Sequence, residues 1–360
     1  MLPLLLALGM VLPSDSLPPP DGPYLFYEGD GLTARWVDTE NRTTGELAFT
    51  PRLFAQLPHF TTFRPELVGA DREFAVDRKV HYTGVKKLVA LSDIHGQFDT
   101  GRKLLLSHGV IDSLNNWTFG SGHLVIVGDI FDRGDQVTEM LWLIHNLQVQ
   151  AKDAGGQVHF LLGNHETMVL EGDDRYVNGK YRITSGLTGK FYHQLYGPDT
   201  YLGRWLRSLP LAVEIDGTVY IHGGLSRPLI REVSSLSKIN HLYHEYLIDV
   251  DDMDEVVSRS TKMNLLHGRT GPLWYRGYFN KQDFTEKDLT YILRKLEADR
   301  IVVGHTSFKA IQSFYDDRVI AVDSSIKMGG MGEVLVFQDG TFYRGTLDGQ
   351  RLPLMTKVTK

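Results

Sequence analysis

Five short stretches of the chain combine aspartate, histidine or asparagine with glycine. They are DIHG at 93–96, GDIFDRG at 128–134, GNHE at 163–166, HGG at 222–224 and GH at 304–305. Oxygen and imidazole donors of this kind suit manganese, iron or zinc better than calcium or copper(I). Cysteine is absent, so thiolate ligands, disulfides and cysteine nucleophiles are excluded. The five stretches therefore predict a metal site built from oxygen and nitrogen donors.

A single aspartate or histidine after a strand is more often a cap or a turn residue than a functional group. Together, the five stretches supply six candidate ligands: Asp93, His95, Asp129, Asn164, His222 and His305. Six donors are too many for one catalytic ion with open positions, but they suffice for two ions that share a bridging carboxylate. We expect Asp129 to be that bridge. Two-metal sites with ions ~3.5–4 Å apart are typical of phosphate-ester hydrolysis.

Each donor-rich stretch begins where an apolar run ends, and ligands bind at the carboxyl ends of strands in open α/β sheets. The stretch QVTEMLWLIHNLQVQAKDAG, which lies between the apolar runs HLVIVG and QVHFLL, has helical periodicity. A strand, a helix and a strand in succession indicate βαβ units. The pair Asp216-Gly217 predicts a hairpin, so we expect an α/β fold with a mixed sheet covered by helices. The apolar runs are KLVALS, HLVIVG, QVHFLL, LAVEIDGTVYI, RIVVG and RVIAVD.

The formal charge of -6 and the lack of a basic stripe argue against a nucleic-acid partner. The apolar run from Leu2 to Leu12 is shorter than the roughly 20 residues that cross a bilayer, so we expect no stable membrane insertion. Residues 1–16 instead suggest a signal peptide, which predicts a periplasmic or secreted protein. A buried amino-terminal strand or a misplaced start codon, with a cytoplasmic location, is the alternative.

The motifs DIHGQ, GDIFDRG, GNHE, HGGLS and GH, in this order, resemble those of the calcineurin-like metallophosphoesterases, specifically their phosphoprotein phosphatase branch. The resemblance covers about residues 85–325. It implies central mixed β-sheets packed as a β-sandwich and flanked by helices. The amino-terminal hairpin around Gly29-Asp30-Gly31 and the stretch GPLWYRGY at 271–278 resemble those of the Shewanella-like protein phosphatases. We expect an amino-terminal elaboration over 22–75 and a catalytic domain over 76–350.

The same resemblance implies residue roles. One ion would be held by Asp93, His95 and Asp129, and the other by Asp129, Asn164, His222 and His305. His165 matches the family's general acid, and Asp132 matches the carboxylate that orients it. Arg133 matches an arginine that binds the phosphate, although an ion pair with Asp129 or Asp132 is the alternative. Arg276 is the candidate for a second phosphate-binding arginine.

These roles predict a metal-dependent phosphomonoesterase in which a hydroxide bridging two divalent ions attacks the phosphorus and His165 protonates the leaving group. The expected substrate is a protein phosphorylated on tyrosine, serine or threonine. A hydrolase of dinucleoside polyphosphates or other small phosphoesters is the alternative, and an inactive binding module is a third possibility. The aromatic residues Trp274, Tyr275 and Tyr278 predict either a wall of the substrate cleft or part of the core.

Overall fold

The computed structural model describes residues 20–38, 41–50, 60–69, 74–76, 78–246, 248, 260–280 and 284–356. The expected leader at 1–16 and the acidic run at 249–255, whose composition predicts a solvated helix start, lie outside the described residues. The strands are β1 (Asp21–Glu28), β2 (Gly31–Asp38), β3 (Thr43–Phe49), β4 (His81–Tyr82), β5 (Lys87–Leu91), β6 (His123–Ile126), β7 (Gln157–Phe160), β8 (Ala212–Ile215), β9 (Thr218–Ile221), β10 (Arg300–Val303), β11 (Gln312–Phe314), β12 (Val319–Ala321), β13 (Glu333–Gln338), β14 (Thr341–Thr346), β15 (Arg351–Pro353) and β16 (Met355–Thr356).

Helices connect and cover these strands. They are α1 (Phe98–Ser107), α2 (Val137–Asp153), α3 (Asn164–Leu170), α4 (Gly179–Thr188), α5 (Tyr201–Arg207), α6 (Arg227–Glu232), α7 (Leu236–Tyr246), α8 (Thr261–His267) and α9 (Glu286–Leu296). The helix α2 confirms the helical periodicity seen between the second and third apolar runs. No helix in the described part of the chain has both the length and the apolar character needed to cross a bilayer.

The strands form three sheets. One has the order β15-β14-β13-β5-β6-β7, with β5, β6 and β7 parallel and β13 antiparallel to β5. A second has the order β16-β11-β12-β10-β9-β8-β4, in which β9, β10 and β12 are parallel and β8 is antiparallel to β9. The third is the amino-terminal sheet β1-β2-β3. Both large sheets are mixed, as predicted.

The alternation of side chains along β5 shows that the two large sheets face each other. Leu88 and Ala90 pack in an apolar cluster with Val302 of the seven-stranded sheet. Val89 and Leu91 instead join a cluster that contains side chains of α1 and α2. Because successive side chains of a strand point to opposite faces, one face of the sheet packs on the other sheet and the opposite face on helices. This arrangement confirms the β-sandwich flanked by helices.

The predicted hairpin at Asp216-Gly217 is also present. Ile215 pairs with Thr218, and the two residues between them have φ values of 46° and 77°. Positive φ at both central positions is typical of the type I′ turn that Asp-Gly favours.

The amino-terminal sheet is attached to the helices through Asp21, which is fully buried at the start of β1. Its carboxylate accepts hydrogen bonds from the hydroxyls of Tyr24 at 2.7 Å, Thr184 at 2.7 Å and Thr138 at 2.9 Å. Thr138 lies in the first turn of α2 and Thr184 lies in α4. A buried carboxylate needs such partners, so this contact joins β1 to the helix that follows GDIFDRG.

Candidate active site

The donor residues follow the carboxyl ends of strands from both large sheets. Asp93 and His95 follow β5, Asp129 follows β6, and Asn164 follows β7, all in the six-stranded sheet. His222 and His305 follow β9 and β10 of the seven-stranded sheet. The site therefore lies at one end of the sandwich, where both sheets contribute. All six side chains are at least 95% buried: Asp93 and His95 at 1% exposure, Asp129 at 1%, Asn164 at 2%, His222 at 0% and His305 at 5%.

Asp129 lies at the centre of the cluster. Its Oδ2 atom is 3.3 Å from Nε2 of His222, 3.6 Å from Nε2 of His95 and 4.0 Å from Nε2 of His165. Two groups of potential ligand atoms, each with all atoms within 4.8 Å of one another, share this residue: His95, Asp129 and His165 form one, and Asp129, His222 and His305 form the other. A carboxylate shared between two groups is the geometry expected of a bridging ligand.

The remaining predicted ligands border these groups. Oδ1 of Asp93 is 3.8 Å from Nε2 of His95, while its Oδ2 accepts a hydrogen bond from the backbone N–H of His305 at 2.9 Å. Oδ1 of Asn164 is 2.9 Å from Nε2 of His222. The structure thus brings all six residues into one cluster. The division of these ligands between two ions stays a prediction. The group around His95 and Asp129 contains His165, whereas the predicted ligand set for that ion contains Asp93 instead.

Hydrogen bonds on the far side of two histidines favour metal binding. Nδ1 of His95 is 2.7 Å from the carbonyl oxygen of Phe131, and Nδ1 of His222 is 2.7 Å from that of Val127. A carbonyl can only accept, so Nδ1 carries the proton, and in the neutral ring Nε2 presents its lone pair to the cluster. Nε2 of His305 is buried and has no hydrogen-bond partner among the described residues. When deprotonated at Nε2, as metal binding requires, the three imidazoles would present nitrogen donors that fit a divalent cation.

The charges of the cluster support the same conclusion. Burial, together with Asp323 and Asp129, raises the pKa of Asp93 well above its usual value. Burial alone would lower the pKa of His222, but the adjacent Asp129 carboxylate raises it to about 9. Burial lowers the pKa of His95 to about 3 and that of His305 to about 2. The buried Asp129 carboxylate is thus stabilised by the positive charge of His222, and a bound divalent cation would supply positive charge in its place.

Six predicted site residues have left-handed backbone conformations. The φ values are 53° at Asp93, 48° at His95, 61° at Asp129, 72° at Asp132, 67° at Arg133 and 62° at His305. Such a conformation costs about 1 kcal/mol or more per non-glycine residue, and it clusters at functional sites because the surrounding fold enforces it. The sharp turns after β5, β6 and β10 therefore direct these side chains into one cluster.

Close packing of two turns requires glycine at two positions. A Cβ atom on Gly128, where φ is 81°, would lie 2.6 Å from Cα of Gly163 and 2.7 Å from Nδ1 of His222. A Cβ atom on Gly163 would lie 2.2 Å from Oδ1 of Asp129. Any side chain at either position would displace a predicted ligand.

Glu166 was not among the predicted site residues, yet it holds the central loop. The residue is fully buried, and its Oε2 accepts hydrogen bonds from the backbone N–H groups of Asp129 at 2.8 Å and Gly163 at 2.7 Å. Its Oε1 accepts from Ile130 at 2.7 Å and Phe131 at 3.3 Å. The sequence signal for Glu166 was its position in GNHE, directly after the candidate residues Asn164 and His165. Glu166 positions the backbone that carries Asp129.

His165 and Asp132 form a buried pair at the edge of the cluster. Nδ1 of His165 is 2.5 Å from Oδ2 of Asp132, and the His165 ring packs edge-on against His95 at 4.6 Å between centroids. Burial raises the pKa of Asp132, and the hydrogen bond from His165 opposes that shift. His165 therefore differs from His95 and His222, whose Nδ1 atoms face carbonyls. A carboxylate partner stabilises a doubly protonated ring, which is the form that can donate a proton.

The two predicted arginines are exposed at the border of the site. Arg133 forms no ion pair with Asp129 or Asp132 in the described part of the chain, and its guanidinium is instead 5.7 Å from the ring centroid of Tyr176. Nη1 of Arg276 donates a hydrogen bond to the carbonyl of His305 at 2.6 Å. Both cations are thus near the donor cluster, and their phosphate-binding roles remain predictions.

The three aromatic residues near Arg276 separate into two classes. Tyr275 and Tyr278 are buried in the core, and the Tyr278 hydroxyl donates to the carbonyl of Leu225 at 3.0 Å. Trp274 is partly buried and lies edge-on to His305, with 5.7 Å between ring centroids. Only Trp274 can therefore contribute to the wall of the cleft.

Comparisons with known proteins agree with the geometry. The family model "Calcineurin-like phosphoesterase" matches residues 86–307. A solved structure of the cold-active protein-tyrosine phosphatase of a psychrophilic Shewanella species is 40% identical, covers 92% of this chain and 98% of its own, and superposes with a TM-score of 0.82. Shewanella-like protein phosphatase 1 of Plasmodium berghei is 29% identical over 67% of each chain.

A further relative, an uncharacterised protein of Schizosaccharomyces pombe, is 27% identical over 73% of this chain and 79% of its own. The family match spans more than half of the chain and contains all six donor residues. The chain therefore belongs to the calcineurin-like phosphoesterase family and falls with its Shewanella-like protein phosphatases.

Proposed function

We propose that this protein is a metal-dependent protein phosphatase that hydrolyses phosphate monoesters on proteins. The observation that carries the proposal is the position of Asp129, which lies between two histidine groups and next to the His165–Asp132 pair. A site that only bound metal would not require a buried proton-donating pair at its edge. The names of the Shewanella and Plasmodium relatives, both phosphatases, support the same function.

We propose that Asp93, His95, Asp129, Asn164, His222 and His305 hold two divalent ions, which are manganese, iron or zinc. When bound, such ions would neutralise phosphate charge and lower the pKa of water from 15.7 toward ~7. The lack of cysteine is consistent with this chemistry, because no protein thiol is available as a nucleophile. Asp129 would bridge the ions, and the other five residues would complete their coordination.

The remaining residues would orient the substrate and move one proton. Arg133 and Arg276 would bind the non-bridging phosphate oxygens through paired N–H groups, in a geometry that lysine cannot reproduce. His165 would give the proton on Nε2 to the leaving oxygen as the phosphorus–oxygen bond breaks. Asp132 would hold the ring at Nδ1 so that Nε2 faces the cluster, and it would stabilise the charged imidazolium before transfer.

The proposal is tested by metal analysis and a substrate panel. Purified protein loaded with manganese, iron or zinc is analysed for metal content, then assayed with phosphopeptides, 4-nitrophenyl phosphate and diadenosine tetraphosphate. Hydrolysis of phosphopeptides by protein that contains about two ions is the expected result. Cleavage of the dinucleotide alone would support the small-molecule alternative, and metal binding without hydrolysis of any substrate would support an inactive module.

We also propose that the protein is exported after removal of residues 1–16. The apolar run from Leu2 to Leu12 and the small residues Ser14 and Ser16 support this proposal. Mass spectrometry of protein recovered from its native cells should find a new amino terminus near Leu17. Recovery of the intact Met1 terminus would contradict cleavage.

A further inference from the structure

Tyr176 is a large aromatic side chain that remains 47% exposed beside the predicted general acid. Its ring centroid is 5.4 Å from that of His165, with the ring planes at 55°. The guanidinium groups of Arg133 and Arg175 each lie 5.7 Å from the same centroid. An exposed aromatic ring that touches both a predicted proton donor and a predicted phosphate-binding arginine is not explained by core packing.

Hydrogen bonds hold the loop that carries Tyr176 against the neighbouring turn. The N–H of Arg133 donates to the carbonyl of Tyr176 at 3.0 Å. The side chain of Asn178 donates to the carbonyl of Arg133 at 2.7 Å and accepts from the N–H of Lys180 at 2.9 Å, at the start of α4. Val177, between them, is buried. The loop is thus attached to the turn that carries Asp132 and Arg133, which fixes the backbone of Tyr176 relative to that turn.

We propose that Tyr176, which is not among the predicted site residues, is a specificity-determining contact whose exposed ring packs against the aromatic ring of a phosphotyrosyl substrate. This inference rests on the proposed function and assigns a substrate contact to a further residue of the same site. General acid catalysis requires His165 to contact the leaving oxygen, so the leaving group must lie on the His165 side of the phosphate. In phosphotyrosine that oxygen is attached directly to a ring, which brings the ring next to Tyr176.

Charge and distance support this assignment. Arg133 lies next to Tyr176, so a phosphate bound to Arg133 places its ester group near the exposed ring. The guanidinium of Arg175, which also lies beside the ring, forms an ion pair with Asp173 at 2.6 Å. Phosphoserine and phosphothreonine carry only short alkyl groups at the leaving oxygen and gain much less from an aromatic neighbour.

Trp274 is another aromatic residue at the border of the site, but it lies beside the ligand group of Asp129, His222 and His305. It packs edge-on against His305 and is partly buried, whereas Tyr176 contacts His165. Because only His165 is placed to protonate the leaving group, we assign the aryl contact to Tyr176. The competing explanation is that Tyr176 merely supports Arg133 through a cation–π contact.

The test compares phosphopeptides that differ only in the phosphorylated residue. The metal-loaded wild-type protein and the variants Tyr176→Ala and Tyr176→Phe are assayed on a phosphotyrosyl peptide and on its phosphothreonyl counterpart. We expect Tyr176→Ala to raise KM for the phosphotyrosyl peptide roughly 3- to 10-fold, with kcat little changed, and to leave the phosphothreonyl kinetics nearly unaltered. Tyr176→Phe should keep wild-type selectivity because the ring is retained.

A control separates this effect from the loss of any surface aromatic residue. Phe191 is 71% exposed and stacks on His193, so Phe191→Ala should not change selectivity. Equal losses on both peptides for Tyr176→Ala would show that the residue only supports Arg133 and would overturn the inference. A wild-type enzyme that hydrolyses the phosphothreonyl peptide alone would also overturn it while leaving the proposed function intact. Hydrolysis of neither peptide would contradict the proposed function itself.

Discussion

Nδ1 of His165 lies 2.5 Å from Oδ2 of Asp132, although the two residues follow different strands of the six-stranded sheet. Asp132 has a left-handed backbone conformation, with φ at 72°, and its carboxylate is buried. The second oxygen, Oδ1, has no hydrogen-bond partner among the described residues. The His165 imidazole is therefore the hydrogen-bond partner of this carboxylate among the described residues. Because Nδ1 of His165 faces Asp132, Nε2 faces Asp129.

The first prediction concerns proton donation by His165. His165→Asn should lower kcat for a phosphotyrosyl peptide by about 10²–10⁴-fold, because the leaving oxygen then departs without a proton. The loss should be much smaller with 2,4-dinitrophenyl phosphate, whose leaving group is stable as an anion. Steady-state kinetics with the two substrates measures the difference. An equal loss on both substrates would assign His165 to metal binding instead.

The second prediction concerns the shared carboxylate. Asp129→Asn should lose bound metal together with activity, because a neutral amide is a poor bridge between two cations. Asp132→Asn is the matched control, since Asp132 is an equally buried aspartate with a similar backbone conformation. It should lose activity but keep its metal. Elemental analysis of both purified variants decides the matter, and full metal content in Asp129→Asn would rule out the bridge.

The third prediction concerns Glu166, which accepts four backbone hydrogen bonds. Glu166→Gln places an NH₂ group against N–H donors, so it should lower the free energy of unfolding by about 3 kcal/mol. Activity should fall as well, because the turn that carries Asp129 loses its support. Urea unfolding monitored by tryptophan fluorescence provides the stability. The exposed Glu297→Gln serves as the control, and equal stability of the two variants would contradict a positioning role.

The fourth prediction concerns the attachment of the amino-terminal sheet. Asp21→Ala removes the acceptor for three buried hydroxyls and should lower the free energy of unfolding by about 3 kcal/mol. Asp30→Ala, in the exposed turn of the same hairpin, should change it by less than about 0.5 kcal/mol. Denaturant unfolding of both variants gives the comparison. If Asp21→Ala proved as stable as wild type, the hydrogen bonds of Asp21 would not stabilise the attachment of β1.

The fifth prediction concerns Glu171, at the end of α3. Burial, reinforced by the nearby charge of Asp173, raises the pKa of Glu171 from 4.5 to about 7. The folded state then binds a proton more tightly than the unfolded chain, so this contribution to stability is complete below about pH 4.5 and is lost as pH rises through 7.

Glu171→Gln should therefore increase stability at pH 8 while having little effect at pH 4.5. Because the side chain is 31% exposed, we expect about 1 kcal/mol at pH 8. Thermal unfolding across this pH range, with Glu297→Gln as the control, measures the effect. A constant difference between wild type and Glu171→Gln at all pH values would contradict the raised pKa.

Much of the fold could be predicted because the signals are local. The apolar runs that became β5, β6, β7, β8, β9, β10 and β12 are strands in the structure, and the Asp216-Gly217 turn joins β8 to β9. Strands such as β4 and β16, each two residues long, were not predicted, because two residues are too few to show alternation.

The amino-acid sequence by itself determined which residues could bind metal and that they follow strands, since residue type and position along the chain are local properties. Only the tertiary structure decided that His305 donates its backbone N–H to Asp93, 212 positions away, because the two sheets must first pack face to face. It also separated Tyr275 and Tyr278, which are buried in the core, from Tyr176, which is exposed beside His165. Burial depends on long-range packing. The spacing of residues in the sequence therefore does not show which aromatic ring stays exposed.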